Sequence, residues 1–247
     1  MKTHLFLAAL VAVAAALYRP SVASDPGAPR VSRSWWSHLD TAVAAKDCDA
    51  YRAAIAEGRA TGDPQAVFLL GIAHLSGICV DWDLERAAEV FGTAARDGHA
   101  FAALVLGTMQ ARGAGVARDR ETARLWHRIG IARLADVPND ERHRLVSTLY
   151  GGPALVPAGV EAALAGLERL EAKGAGAFLI EGRRFLDGVG VPQDAVAACS
   201  LLTRAADAGH VEAQWVLFGL YDRGERLRPD LYRANRFLEA AAAKGTG

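Results

Sequence analysis

The sequence lacks the short motifs that carry most enzymatic chemistry. Its 247 residues contain no Cys-x-x-Cys, His-Glu-x-x-His, Ser-x-x-Lys or Gly-x-Ser-x-Gly, and no glycine loop followed by Lys-Ser/Thr. These absences remove the nucleophiles, the metal ligands and the phosphate cradle that the corresponding enzyme classes need. We therefore expect no enzymatic activity, no catalytic residue, no metal site and no cofactor.

An excess of charge of either sign is also absent. The 28 basic and 28 acidic residues balance to a formal net charge of zero, and no basic stripe interleaved with aromatic residues is present. Nucleic-acid binding depends on clustered Lys and Arg that neutralise phosphates. We therefore expect no nucleic-acid partner.

One long apolar run occurs in the sequence, and it lies at the N-terminus. Residues 1–23 have the pattern of a secretory signal peptide: Lys2 and His4 form a basic start, residues 5–17 are apolar, and Ser21-Val22-Ala23 is a small-x-small cleavage site. The run is shorter than the about 20 residues that a membrane-spanning helix needs, although an uncleaved anchor is the alternative. We expect no stable membrane insertion after cleavage.

Residues 24–33 are rich in Pro, Gly and Ser, which predicts a flexible leader between the signal and the folded part. The mature protein should therefore begin near Ser24 and be periplasmic or secreted.

The rest of the chain repeats small residues at intervals of 36 positions. Gly71 is followed by Gly107 and Asp83 by Asp119 at this interval. With Gly71 as position 0, the pattern is Ala at −5, Leu at −1, Gly at +6, Val at +9, Asp at +12, Ala at +16 and +24, and Gly at +27. A period of this length is typical of stacked helix pairs, because one pair alone cannot bury its apolar face.

Residues 34–247 divide into six such repeats. Four are clear, at 63–98, 99–138, 176–210 and 211–247, whereas 34–62 and 139–175 are degenerate. A short insertion around residues 137–140 breaks the register between two of them. Each repeated residue has a packing or capping role: small residues allow helices to approach closely, Gly at +6 ends a helix and Asp at +12 caps the next.

The combination Ala-x3-Leu-Gly-x2-His-x2-Gly-x2-Val-x2-Asp-x3-Ala at residues 66–87, with its copies in the other repeats, resembles the Sel1-like repeat family, relatives of the tetratricopeptide repeats. The resemblance implies an all-α, right-handed superhelical solenoid of about six antiparallel helix pairs, with the first helices on the concave side. It also implies an adaptor or scaffold with another protein as its partner.

The first helices carry more apolar residues than a solvent-facing surface would. These residues either pack laterally between neighbouring first helices or form a groove that binds a helix or an extended peptide. The candidate groove residues are Phe68, Ile72, Leu104, Thr108, Leu179, Arg183 and Trp215.

Two further functional hypotheses stay open. One is binding of peptidoglycan or another glycan of the cell envelope, or assistance to an envelope enzyme, with Trp35, Trp36 or Trp82 as a stacking surface. The other is homo-oligomerisation through the terminal repeats.

Glu181 departs from the repeat pattern, because it replaces the Leu at −1. A buried carboxylate is costly unless it is paired. We expect Arg183, Arg184 or Arg204 to supply the opposite charge in a structural ion pair.

Three cysteines are present, and two of them lie at one edge of the predicted stack. Cys79 is at +8, where Gly115 and Gly190 stand in other repeats, and Cys48 is at +13 of the preceding repeat. We hypothesise a disulfide between Cys48 and Cys79, which an oxidising compartment permits. The alternative is that both are unpaired loop thiols.

This hypothesis predicts the number of cysteines that react in the mature protein. In the denatured protein, alkylation without reductant should modify Cys199 alone, and alkylation after reduction should modify all three cysteines. Intact mass measures both states. Three modified cysteines before reduction would contradict the disulfide.

Overall fold

The computed structural model describes residues 34–224, 226–227 and 229–245, with the side chains of 244 and 245 excepted. Within this part all regular secondary structure is helical. It contains twelve α-helices, one short 3-10 helix and no strand. The predicted signal segment, 1–23, and the predicted leader, 24–33, lie outside the described residues.

Along the chain the described helices number two for each predicted repeat, and this all-helical architecture confirms the predicted α-solenoid. They are α1 (Ser34–Ala45), α2 (Cys48–Ala60), α3 (Pro64–Ser76), α4 (Leu84–Arg96), α5 (Ala100–Arg112), α6 (Arg120–Ala132), α7 (Asn139–Tyr150), α8 (Ala158–Lys173), α9 (Ala175–Asp187), α10 (Ala195–Asp207), α11 (Val211–Arg223) and α12 (Leu231–Gly245). The 3-10 helix, Pro153–Leu155, lies between α7 and α8.

The chain divides into two compact units. Among the described residues, unit one comprises 34–126 and 143–156, and unit two comprises 127–142 and 157–245. The division falls within α6 and α7, next to the insertion that the repeat register predicts around residues 137–140.

The core of unit one depends on glycines at helix crossings. A Cβ atom added to Gly71 would lie 2.6 Å from the Phe91 ring, and one added to Gly58 would lie 2.7 Å from the Trp35 ring. Both distances are shorter than side-chain contacts allow, so no larger residue fits. Around these crossings Trp35 and Phe91 are fully buried, and the large side chains of neighbouring helices interdigitate.

Helix ends follow the repeated Asp and Gly positions. The Asp83 carboxylate accepts a hydrogen bond from the Arg86 backbone N–H at 2.9 Å, and that of Asp194 accepts one from Ala197 at 2.8 Å. Gly77 ends α3 with φ of 68°, a left-handed conformation that glycine adopts at low cost. These local contacts mark the starts of α4 and α10 and the end of α3, as the sequence pattern predicts.

Unit two contains a fully buried arginine in the degenerate repeat. Arg142 donates hydrogen bonds to the Val137 carbonyl at 2.9 Å, to Asn139 Oδ1 at 2.9 Å and to Glu171 Oε1 at 2.9 Å. The guanidinium group thereby ties the inserted loop before α7 to α8. A charged side chain without exposed surface needs such partners, because burial of an unpaired charge is strongly unfavourable.

Removal of this guanidinium should destabilise the fold. We expect Arg142→Ala to lower the free energy of unfolding by about 3 kcal/mol, because it leaves the loop carbonyl without its donor and the Glu171 carboxylate with only the longer contact to Arg204 at 3.3 Å. Urea unfolding followed by circular dichroism measures the loss.

The matched control is Arg86→Ala, which removes an exposed ion pair with Glu89 at 2.7 Å. Exposed pairs of this kind contribute about 0.5 kcal/mol or less. Equal losses in the two variants would show that Arg142 has no special structural role.

Candidate functional site

The seven predicted groove residues separate into buried and accessible positions. Four residues of this set are buried: Phe68, Leu104, Thr108 and Leu179. Ile72 is half-buried, whereas Arg183 and Trp215 are exposed. The buried four are covered by other parts of the chain and are closed to a partner. The groove prediction is thereby restricted to Ile72, Arg183 and Trp215.

Phe68 illustrates why the buried positions are closed to a partner. Its ring stacks on the His99 imidazole at a centroid distance of 4.4 Å and contacts the Phe91 ring at 5.7 Å. His99 Nδ1 accepts a hydrogen bond from the Ala102 N–H at 3.1 Å, and its Nε2–H donates to Gln65 Oε1 at 2.6 Å. The start of α5 therefore covers Phe68, and His99 has a capping role.

Thr108 and Leu104 are enclosed by Tyr150. The Tyr150 hydroxyl lies 2.9 Å from the Thr108 hydroxyl and donates to the Leu104 carbonyl at 3.1 Å. Burial raises the pKa of Tyr150 to about 12, so the phenol stays neutral and can donate. This part of α5 is interior in unit one.

The accessible apolar surface lies on α9 and α11 of unit two, which are the first helices of consecutive repeats. Ile180 on α9 is 64% exposed and Trp215 on α11 is 49% exposed. A hollow of about 320 Å³ lies beside Trp215, and we call it the α9–α11 hollow. Its lining residues are Leu186, Asp187, Trp215, Val216, Gly219, Leu220, Arg223 and Arg226.

Two arginines connect neighbouring elements at this surface. Arg183 forms an ion pair with Glu212 at 2.6 Å, which links α9 to α11. Arg226 donates a hydrogen bond to the Leu186 carbonyl and lies 3.9 Å from the Asp187 carboxylate. Of these residues, Arg226 and its partners Leu186 and Asp187 line the hollow, whereas Arg183 and Glu212 do not.

Glu181 is paired, and one of its partners was expected. Its carboxylate contacts Arg184 at 2.9 Å, as the sequence suggested, and also Arg128 of α6, which sequence reasoning missed. Arg128 is 53 residues away along the chain, so no local signal indicates the contact. The ion pairs give Glu181 a structural role at the α9 crossing.

The two predicted cysteines lie together in unit one. The Cys48 and Cys79 sulfur atoms are bonded at 2.16 Å and join the start of α2 to the loop after α3. Arg52 donates to the Cys79 carbonyl at 2.7 Å, beside an open hollow of about 640 Å³. Cys199 is a free, buried thiol, and burial raises its pKa to about 12.

The three tryptophans of the glycan hypothesis have different environments. Trp35 is fully buried in the core of unit one, so it offers no stacking surface, because its ring is already packed against the chain. Trp36 is half-buried against it, with ring centroids 5.2 Å apart. Trp82, in the loop before α4, is 64% exposed.

Within the part of the chain that the structure describes, no three or more His, Cys, Asp or Glu side chains are grouped so that they could hold a metal ion. No helix among the same residues is long and apolar enough to cross a membrane.

The paired helices and their exposed first-helix surface define a helical repeat protein of the α-solenoid class. The Sel1 repeat model matches residues 64–99, 100–132, 182–210 and 211–246, which is more than half of the chain. The chain therefore belongs to the Sel1 repeat family, whose members are generally protein–protein interaction scaffolds and typically non-catalytic. The unmatched interior, 133–181, contains the degenerate repeat at 139–175.

Solved structures of two Sel1-type proteins are similar to this chain. A Sel1 repeat protein from Oxalobacter formigenes is 21% identical over 85% of this chain and 84% of its own, with a TM-score of 0.39. The protective antigen c5321, present in uropathogenic Escherichia coli strains and displaying an SLR fold, is 19% identical over 85% of this chain and 52% of its own, with a TM-score of 0.38. No curated protein matches the chain.

One buried histidine of unit two should make stability depend on pH. His127 packs against Gly159, where an added Cβ would lie 2.4 Å from the imidazole, and burial lowers its pKa from 6.5 to about 4. The unfolded chain binds a proton near pH 6.5, whereas the folded chain resists protonation. The free energy of unfolding should therefore fall by about 3 kcal/mol as pH drops from 6.5 to 4.

The variant His127→Asn removes this titration, so the difference in unfolding free energy between variant and wild type should change over that pH range. Urea unfolding at intervals between the two pH values measures it. A difference that stays constant with pH would contradict the assignment to His127.

Proposed function

We propose that this protein is an extracytoplasmic adaptor that binds a peptide or helix of another protein through the α9–α11 surface. The observation that carries the proposal is the exposure of Ile180 and Trp215 on consecutive first helices, with Trp215 lining a hollow. Large apolar side chains beside a pocket are the residues that dominate binding energy at protein interfaces.

The same position within the repeat supports this choice of surface. Position −3 holds Phe68, Leu104, Leu179 and Trp215 in the four clear repeats. The first three are buried by neighbouring parts of the chain, whereas Trp215 is half-exposed. An indole at a position otherwise used for helix packing is suited to the apolar face of a partner helix.

Two features support the extracytoplasmic location. The signal-like pattern at residues 1–23 is one, and the bond between Cys48 and Cys79 is the other. Disulfides persist in oxidising compartments and are rare in the cytosol. The bond ties the first two helix pairs together, which favours a scaffold that stays folded outside the cell or in the periplasm.

A second candidate function rests on Trp82. Its indole is exposed in a loop and is available to stack on a sugar ring of the cell envelope. Association of two copies through the terminal repeats is a further possibility, which molar mass in solution would test.

Trp215→Ala and Trp82→Ala form a matched pair that separates these functions, because both remove an exposed indole. A photo-crosslinker at position 180 in the native organism should first capture one defined protein, whereas one at the exposed Leu155 of unit one should not. Binding of that purified protein to Trp215→Ala should then be about 30-fold weaker, with unchanged helicity.

Trp82→Ala should bind this partner as the wild type does. If Trp82→Ala instead loses binding to purified cell wall while Trp215→Ala loses no protein partner, the envelope function is correct and the adaptor function is wrong. Global loss of helicity in Trp215→Ala would show that the indole stabilises the fold rather than binds a partner.

A further inference from the structure

We infer that the α9–α11 hollow receives one large apolar side chain of the partner with a carboxylate beside it, so that the partner segment is acidic and amphipathic. This inference rests on the proposed function, because it names the chemistry of the segment bound at the same surface. Three features of α11 support it: an open glycine, an apolar wall and an arginine.

Gly219 forms an open part of the hollow without any packing reason within the described chain. Gly71 and Gly182, by contrast, are required, because an added Cβ would lie 2.6 Å from Phe91 or 2.8 Å from Leu202. A Cβ added to Gly219 meets nothing within 4 Å. Glycine weakens a helix interior relative to alanine, so at this position it provides space that the chain itself leaves unfilled.

The walls and the size of the hollow select an apolar anchor. Leu186, Val216 and Leu220 line it together with the Trp215 indole. Its volume of about 320 Å³ lies at the small end of binding pockets, which suits a single large side chain rather than a whole helix. Burial of such a side chain removes apolar surface from water on both molecules.

Arg223 supplies the charge next to this anchor point. Trp215, Gly219 and Arg223 are spaced four residues apart, so they lie along one face of α11. Successive residues of this stripe are about 6 Å apart along the helix axis. When the apolar side chain of the partner lies above Gly219, a carboxylate next to it on the partner is within reach of the Arg223 guanidinium.

The other charges around the hollow favour an acidic occupant. Asp187 and Arg226 lie close to each other and offset one another, whereas Arg223 forms no ion pair with another residue of the described ranges. Among the described lining residues, one positive charge is thus in excess. Guanidinium groups bind carboxylates through paired hydrogen bonds, which also fixes the orientation of the partner.

The test uses short fluorescent peptides that carry one Phe and one Glu in a neutral background. Phe and Glu are placed two residues apart for an extended segment, or three and four apart for a helix. A matched set carries Lys in place of Glu. Wild-type protein should bind the best Glu peptide about tenfold more tightly than its Lys counterpart, and Arg223→Glu should reverse this preference.

Gly219→Ala separates binding from folding. Because its Cβ meets open space, this variant should unfold at an equal or higher urea concentration than wild type, yet bind the Glu peptide about tenfold less tightly because the hollow is shallower. The control is Gly166→Ala in α8, where an added Cβ also has room, with its nearest neighbour at 3.8 Å, but which does not line the hollow. Gly166→Ala should bind as wild type does.

Wild-type affinity in Gly219→Ala, or equal affinities for the Glu and Lys peptides, would overturn the inference. If Trp215→Ala loses the crosslinked partner while Arg223→Glu leaves the charge preference unchanged, the adaptor function stands and the acidic partner class is wrong. If neither variant affects binding, the adaptor function and the acidic partner class are both wrong. Self-association that Gly219→Ala abolishes would identify a second copy of the chain as the occupant, and would also overturn the acidic partner.

Discussion

The close approach of paired helices is the constraint on which the rest of this structure depends. At Gly71 the neighbouring Phe91 ring occupies the space that a Cβ would need, and Leu202 does the same at Gly182. A helix that presents no side chain at the crossing lets a large side chain of its partner pack against the backbone. The same geometry recurs within a repeat of each unit.

At two places that depart from the apolar repeat pattern, a buried charged side chain is paired with an opposite charge. The degenerate repeat of unit two contains the buried Arg142 with Glu171, and the misfit Glu181 lies between Arg128 and Arg184. Such groups tolerate burial only because each has an oppositely charged or polar partner. They restrict how α6, α8 and α9 pack, and this arrangement is particular to the chain rather than a feature of the repeat pattern.

Packing and recognition use equivalent positions of the repeat in this protein. Phe68 is covered by His99 and belongs to the core, whereas Trp215 at the equivalent position keeps half of its surface exposed. Burial determines whether an apolar side chain stabilises the fold or remains available to a partner. Glycines differ in the same way: the space beside Gly71 is filled by the Phe91 ring, whereas the space beside Gly219 is open.

The sequence by itself determined the helix pairs, their caps and the family. The reason is that these features depend on residues close in the chain: the spacing of small residues, the Asp that caps a helix start and the Gly that ends a helix. It also indicated the Cys48 and Cys79 pair and one partner of Glu181. Only the tertiary structure decided that Phe68, Leu104, Thr108 and Leu179 are interior, that Trp35 is buried, and that Gly219 faces open space. The reason is physical: periodicity predicts which face of a helix is apolar, but exposure depends on side chains from distant parts of the chain, such as His99 over Phe68 and Arg128 beside Glu181.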